Sequence, residues 1–324
     1  MEILERGVGE LIQAPDIGSL RAWNREHKSM VLESKLVSER EAVERLVADG
    51  DYVSFELYGT CRAPLSVARE IVRQGRRNLR LAGQGLQDVD FLVAAGCVEA
   101  MDITYVGYEV HGLSRVLRRA AEKQGLKLVE WSNAALAWRF KAAAMGVPFL
   151  PIKSMLGTDT FRYSAGMVAD CPFTGEKLML LPALVLDVGV VHVHQADVYG
   201  NCFLEGISGF AIEMARASKK LIISAEEIVD NAEFRHWPER NVIPWYHVDA
   251  VVHAPFGSHP GEMPNLYGRD EPGILEWLKA IETEEGTEAY LDKYMRDVPD
   301  HAAYLELIGG EAKQRELRDI AVGR

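Results

Sequence analysis

Between residues 105 and 112 the chain reads Tyr105-Val106-Gly107-Tyr108-Glu109-Val110-His111-Gly112, which sets a carboxylate and an imidazole among tyrosines and glycines. Glycine lets backbone N–H groups approach a ligand closely, and a carboxylate shielded by aromatic rings acquires the raised pKa that suits a general base. Glu109 is therefore the candidate catalytic residue, with Gly107 and Tyr108 beside it as candidate binding residues. The same carboxylate also precedes a helical pattern starting at Leu113, where negative charge favours the helix dipole.

A second polar set lies upstream. Val53, Phe55 and Leu57 alternate with Ser54, Glu56 and Tyr58, so a strand here turns its polar side chains to one face. Parallel strands are ordinarily apolar on both faces, and these residues need a cleft, a pairing partner or an outer position to be tolerated. Glu56 is thus either a group of the cleft or half of a structural ion pair. Further on, His192 and His194 share one strand face, a spacing that some metal sites use, with Gln195, Asp197, Gly200 and Asn201 following. No HExxH accompanies them, and a resident metal is not expected.

Other chemistries lose ground by their missing motifs. Gly83-Gln84-Gly85 lacks the third glycine of a dinucleotide fingerprint, no Walker-type phosphate loop occurs, and Gly206-Ile207-Ser208-Gly209-Phe210 is not a nucleophile elbow.

The elements that must position these residues alternate. A helix over 39–48 buries Val43, Leu46 and Val47, and Asp49-Gly50-Asp51 turns it into a strand over 52–57. Pro64 opens the next helix and Gly75 closes it. Strands follow over 79–82 and 100–106, a helix over 113–123, and a strand over 126–131. Ser132 then caps a helix that Gly146 stops, and a strand covers 149–153. Residues 154–177 read as a long irregular excursion, and strands resume over 178–181, 188–193, 221–224 and 248–254, with a helix over 211–217. Strand–helix alternation of this kind predicts an α/β fold with a Rossmann-like, mostly parallel sheet flanked by helices, which binds ligands at the carboxyl ends of its strands. After Glu271 the chain turns charged and helical, anchored by Trp277, Leu278, Tyr290, Tyr294 and Leu305. Residues 1–38 are weakly periodic and are expected to wrap as an N-terminal segment.

With 324 residues, 48% hydrophobic and 26% charged, the chain can bury a sizeable core. A formal charge of −12 and the lack of any Lys/Arg-rich run argue against nucleic acid. Cys61, Cys97, Cys171 and Cys202 are scattered without a CxxC pair, so reduced thiols and a cytoplasmic location are expected. The first residues lack the pattern of a secretory signal, and the apolar stretch over 178–193 is interrupted by Pro182, Asp187 and His192, so no membrane span is expected.

Asp49-Gly50-Asp51-Tyr52-Val53-Ser54-Phe55-Glu56-Leu57-Tyr58, followed by Arg62-Ala63-Pro64, resembles the α-subunit pattern of class I, glutaconate-type CoA-transferases. Collinear with it, and similar to the same family, are Gly146-Val147-Pro148-Phe149-Leu150-Pro151, Asp187 through Gln195 with Gly200, Glu226-Glu227-Ile228-Val229 and Val248-Asp249-Ala250-Val251-Val252. The resemblance covers about residues 34–283, leaving a C-terminal helical extension over 284–324. Where the family usually has Gly-Gly, this chain has Glu56-Leu57, so acyl specificity is expected to differ.

The resemblance implies a hetero-oligomer, a heterotetramer or larger, in which this chain works with a β subunit on a coenzyme A thioester as substrate, with no bound cofactor. In that family a β-subunit glutamate attacks the acyl-CoA, and CoA passes through an enzyme thioester to a carboxylic acid, here expected to be dicarboxylic. This chain would shape the acyl pocket and part of the CoA channel through Glu56, Tyr58, Gly59, Arg62, Gly107, Tyr108, His194 and Gln195. A related hydrolase that opens the last steroid ring as a CoA thioester is similar in its Tyr-Gly-x-Glu-like loop and in Tyr267-Gly268-Arg269-Asp270-Glu271. By that analogy Glu109 would activate water or a carbon acid. A non-catalytic subunit that only binds acyl-CoA is the remaining alternative.

Overall fold

A computed structural model describes residues 2–56 and 58–321; Leu57, placed in a strand above, lies outside the described residues. The chain begins with β1 (Glu5–Arg6), α1 (Ile17–His27), β2 (Leu36–Val37), α2 (Glu39–Leu46), β3 (Tyr52–Glu56), α3 (Leu65–Arg73), β4 (Leu79–Gly85) and α4 (Gln87–Ala94). It continues through β5 (Val98–Val106), α5 (Arg115–Lys123), β6 (Lys127–Glu130), α6 (Asn133–Met145), β7 (Phe149–Ile152), α7 (Asp159–Arg162), β8 (Met167–Asp170), β9 (Lys177–Pro182) and β10 (Leu186–Ala196). Then come β11 (Cys202–Phe203), α8 (Ala211–Ala217), β12 (Ser218–Ile228), α9 (Asn231–His236), β13 (Ala250–His253) and the helices α10 (Glu271–Ala280), α11 (Glu284–Leu291), α12 (His301–Leu307) and α13 (Gly310–Ala321).

Local chemistry fixes the boundaries. Ser38, Ser114 and Ser132 each cap a helix by accepting a backbone N–H in its first turn, and Gly146 closes α6 with φ of 73°. The main sheet runs β2-β13-β12-β10-β3-β4-β5-β6, parallel throughout this path, with β11 antiparallel beside β10. Its central strand, β10, is buried on both faces over most of its length, which is the environment parallel strands require.

The structure departs from the sequence reading at 149–182. Instead of extending the parallel sheet, β7 pairs antiparallel with β9, and β8 and β1 complete a separate four-stranded sheet in the order β1-β8-β9-β7. The burial of these strands alternates, so one face is solvated, which antiparallel sheets tolerate and doubly covered parallel sheets do not. The expected excursion over 154–177 supplies α7 and β8 to this unit.

Two lysines of the first 38 residues are tied to the 245–249 segment. Lys28 Nζ donates to the His247 carbonyl at 2.8 Å and pairs with Asp249, and Lys35 Nζ donates to the carbonyls of Trp245 and Val248, each at 2.7 Å. At the other end, Trp277, Leu291, Met295 and Tyr304 from the last helices join the core that covers one face of the sheet. No described helix is long and apolar enough to cross a membrane.

Candidate functional site

At the carboxyl ends of β3, β4 and β5 the chain leaves a cleft of about 140 Å³ lined by Tyr58, Gly59, Gln84, Gly85, Leu86, Tyr105, Glu109 and Asn133. Two helices begin at its rim: Leu86 precedes α4 and Asn133 opens α6, so amide dipoles favour negative charge there. Gly85 admits nothing larger, because a Cβ would stand 2.2 Å from Val89 Cγ2.

The Glu109 loop is a closed hairpin. Gly107 bridges to Leu113, the Tyr108 N–H donates to the Gly112 carbonyl at 2.7 Å, and a Cβ on Gly107 would lie 2.7 Å from the Tyr105 hydroxyl. Glu109 at its tip has φ of 50°, a left-handed conformation that costs a non-glycine residue energy and holds its exposed carboxylate at the cleft. His111 Nε2 contacts Glu271 Oε1 at 2.6 Å and Arg269 pairs with Glu271 at 2.8 Å, so the loop is latched to the 267–271 segment.

The sequence-derived candidates separate into three groups. Tyr58, Gly59 and Glu109 meet in the cleft, with Gly107 and the buried Tyr108 supporting the loop beneath Glu109. Glu56 and Arg62 do not reach the cleft. Both are 0% exposed and form a two-pronged ion pair at 2.6 and 3.2 Å, while Arg62 also donates to the Ile207 carbonyl at 2.6 Å. Their expected contact with substrate is therefore corrected to a structural one, because burial with no exposed atom demands the pairing seen. Burial lifts the Glu56 carboxyl above the ordinary glutamate range, with Arg62 opposing the rise.

His194 and Gln195 are also elsewhere, in a hollow of about 380 Å³ over the ends of β10 and β12 that includes Phe203, Glu226, Arg240 and Arg318. The Glu205 N–H donates to His194 Nδ1 at 3.0 Å, and the Pro264 carbonyl faces Nε2 at 2.9 Å. A backbone N–H can only donate and a carbonyl only accept, so the ring is the neutral tautomer with its proton on Nε2. Desolvation by burial accordingly holds its pKa below the ordinary value. His192 is buried between Ser224 Oγ at 2.8 Å and Glu226 Oε1 at 2.7 Å. Among the described residues no cluster of His, Cys, Asp and Glu is arranged to hold a metal ion.

Sequence reasoning passes over Gln84, Gly85 and Asn133. In the sequence Gln84-Gly85 reads only as an incomplete dinucleotide fingerprint, yet its place at the end of a strand is the available signal; Asn133 follows the Ser132 cap at the end of another.

Cys61 sits in the turn joining Tyr58 to Arg62, yet it is not a nucleophile. Burial pushes its thiol up to about 12, with Glu262, which accepts its S–H at 3.0 Å, acting in the same direction. Cys171 is shifted the opposite way, chiefly by a hydrogen bond from Thr174. Iodoacetamide at pH 8 is expected to alkylate Cys171 and spare Cys61, as read by peptide mass spectrometry; equal labelling would contradict the burial argument.

The family description Coenzyme A transferase matches residues 37–254. A 3-oxoadipate CoA-transferase subunit of Pseudomonas knackmussii is 36% identical over 84% of this chain and 97% of its own. A glutaconate CoA-transferase subunit of Acidaminococcus fermentans is 32% identical over 85% of this chain and 92% of its own. A crystal structure of glutaconate coenzyme A-transferase from that organism superposes with a TM-score of 0.85 at 30% identity, covering 88% of this chain and 96% of the other. The cholesterol ring-cleaving hydrolase IpdA subunit of Mycobacterium tuberculosis is 28% identical over 74% of this chain and 85% of its own. A shared parallel sheet, near-complete mutual coverage and a family match over most of the length leave one assignment: the chain belongs to the coenzyme A transferase family.

Proposed function

We propose that this chain is the α-type subunit of a hetero-oligomeric CoA-transferase that moves CoA from an acyl-CoA to a dicarboxylic acid, with the attacking glutamate supplied by a β-type partner. The observation that carries this reading is the composition of the cleft: it offers aromatic, amide and glycine groups and one carboxylate, while Cys61, in the turn that follows Tyr58 and Gly59, is held protonated. Such a surface can orient an acyl group and stabilise a developing oxyanion. Two relatives are named as one subunit of a transferase, and 3-oxoadipate and glutaconate are both dicarboxylates.

In the proposed cycle the partner carboxylate attacks the thioester carbonyl, the C–S bond breaks and CoA leaves as thiolate. The thiolate then attacks the partner's side of the anhydride, expelling the first acid as carboxylate. The incoming acid repeats these two steps in reverse. Every bond made is matched by one broken, and no proton is transferred. Tyr58, Gly59, Gln84 and Tyr105 would line the acyl side.

The test is co-expression with a β-type CoA-transferase subunit. The purified complex is expected to exchange CoA between acetyl-CoA and glutaconate or 3-oxoadipate, and borohydride is expected to inactivate the complex only after incubation with acyl-CoA. Exchange by this chain alone, or none across a broad panel of acids, would overturn the proposal. A hydrolytic second reading is favoured by the exposed carboxylate of Glu109 in the cleft and by the likeness to the ring-cleaving hydrolase subunit.

A further inference from the structure

Beneath the Glu109 loop lies a carboxylate that the cycle above does not use. Asp90 is in the first turn of α4 and is 0% exposed. Its Oδ2 accepts the Tyr108 hydroxyl at 2.6 Å, and its Oδ1 accepts the Ser114 hydroxyl. Tyr108 stands at the start of the loop and Ser114 at its end, so one carboxylate holds both feet of the hairpin. The Trp277 indole N–H, from α10, donates to the Tyr108 hydroxyl at 2.6 Å and reaches Asp90 Oδ2 at 3.3 Å. Tyr108, Ser114 and Trp277 are themselves buried.

We infer that Asp90 is a positioning residue: by clamping Tyr108 and Ser114 it fixes the loop that carries Glu109, one wall of the cleft, at the separation an acyl group requires. The inference rests on the reading of this cleft as the acyl pocket. The wall needs such a clamp, because Glu109 is held in a left-handed conformation that relaxes once the flanking contacts loosen. The outer latch cannot substitute for it, since His111 and Glu271 are both part-exposed and such pairs are weak. Burial lifts the Asp90 carboxyl to about 6, and the bonds from Ser114, Tyr108 and Trp277 pull it back toward the charged form that accepts them.

An Asn at this position keeps one acceptor oxygen but turns an N–H toward the other hydroxyl, which already accepts from Leu117 N–H at Ser114 or from the Trp277 indole at Tyr108 and must swing its own O–H away, so two charge-assisted bonds become weaker neutral ones. The experiment compares Asp90→Asn, Tyr108→Phe and their double variant in the assembled complex with its β-type partner. Hydrogen exchange of residues 107–114 is expected to quicken by about tenfold or more in Asp90→Asn. In the same variant kcat/KM for acetyl-CoA with glutaconate or 3-oxoadipate is expected to fall about 100-fold per folded complex, the scale of a misplaced binding wall. Tyr108→Phe gives a smaller loss, and the double variant loses less than the sum of the two, because both changes remove one contact. Tyr304→Phe, which breaks a remote bond to His259 at 2.8 Å, serves as the destabilised control and keeps kcat/KM.

Unchanged exchange at 107–114, or faster exchange with kcat/KM preserved, overturns the clamp while leaving the transferase reading intact. A parent complex without CoA exchange shows instead that the reading itself has failed, and the inference falls with it.

Discussion

Replacing Arg62 with Met is expected to cost about 3–5 kcal/mol of stability, the largest effect of any single change near the cleft, because it strands a buried carboxylate. Glu56 and Arg62 are fully enclosed and meet through both guanidinium nitrogens at 2.6 and 3.2 Å. Removing the cation leaves Glu56 either charged and unpaired or forced to take up a proton. The matching double variant, Glu56→Leu with Arg62→Met, exchanges the pair for apolar side chains of comparable volume and is expected to regain most of the loss. It stays about 1 kcal/mol below the parent, since the Ile207 carbonyl loses the donor it has at 2.6 Å. Guanidinium denaturation with unchanged slope measures both. A single variant as stable as the parent would show that the pair contributes nothing to holding the turn that presents Tyr58 and Gly59.

This pair marks where sequence reasoning reaches its limit. Alternation over 53–58 shows that Glu56 needs either a cleft or a partner, and nothing in the spacing chooses between them. The choice is made by the turn at 58–62, in which Arg62 adopts φ of 59° and folds its guanidinium back under the strand end. A left-handed arginine carries no local sequence signal. Helix caps are legible because Ser132 and Gly146 act on neighbours within four residues, and such chemistry is written in the chain; the helix read from Leu113 begins instead after a cap at Ser114. Strand partners are not. Residues 149–153 and 178–181 read as strands, but a short alternating run does not state which sheet it joins, and these pair with each other. The cleft follows the same division: the Gly107–Glu109 loop is visible as an unusual grouping at a strand end, whereas Asp90, with no motif around it, acquires its meaning only when Tyr108, Ser114 and Trp277 converge on it.

Glu109→Gln separates the two chemistries that one cleft can host. Thioester exchange between carboxylates moves no proton: a carboxylate attacks, a thiolate leaves, and each later step repeats that pattern. The amide is nearly the size of the carboxylate it replaces, so CoA exchange in the complex is expected to stay within about tenfold of the parent, as a change in binding environment rather than loss of a chemical group. Hydrolysis differs, because water must lose a proton as it attacks and a positioned base is worth roughly 10²–10⁴-fold. Among the described residues Glu109 is the one carboxylate lining the cleft, and its φ of 50° shows that the loop holds it there at an energetic cost. If the complex cleaves CoA esters with water, Glu109→Gln is expected to remove that activity by about 10²–10⁴-fold with little change in KM. Measuring both reactions in parent and variant therefore assigns the carboxylate: retained exchange with abolished hydrolysis makes it a base that transfer does not need, and hydrolysis that survives the substitution removes it from that role.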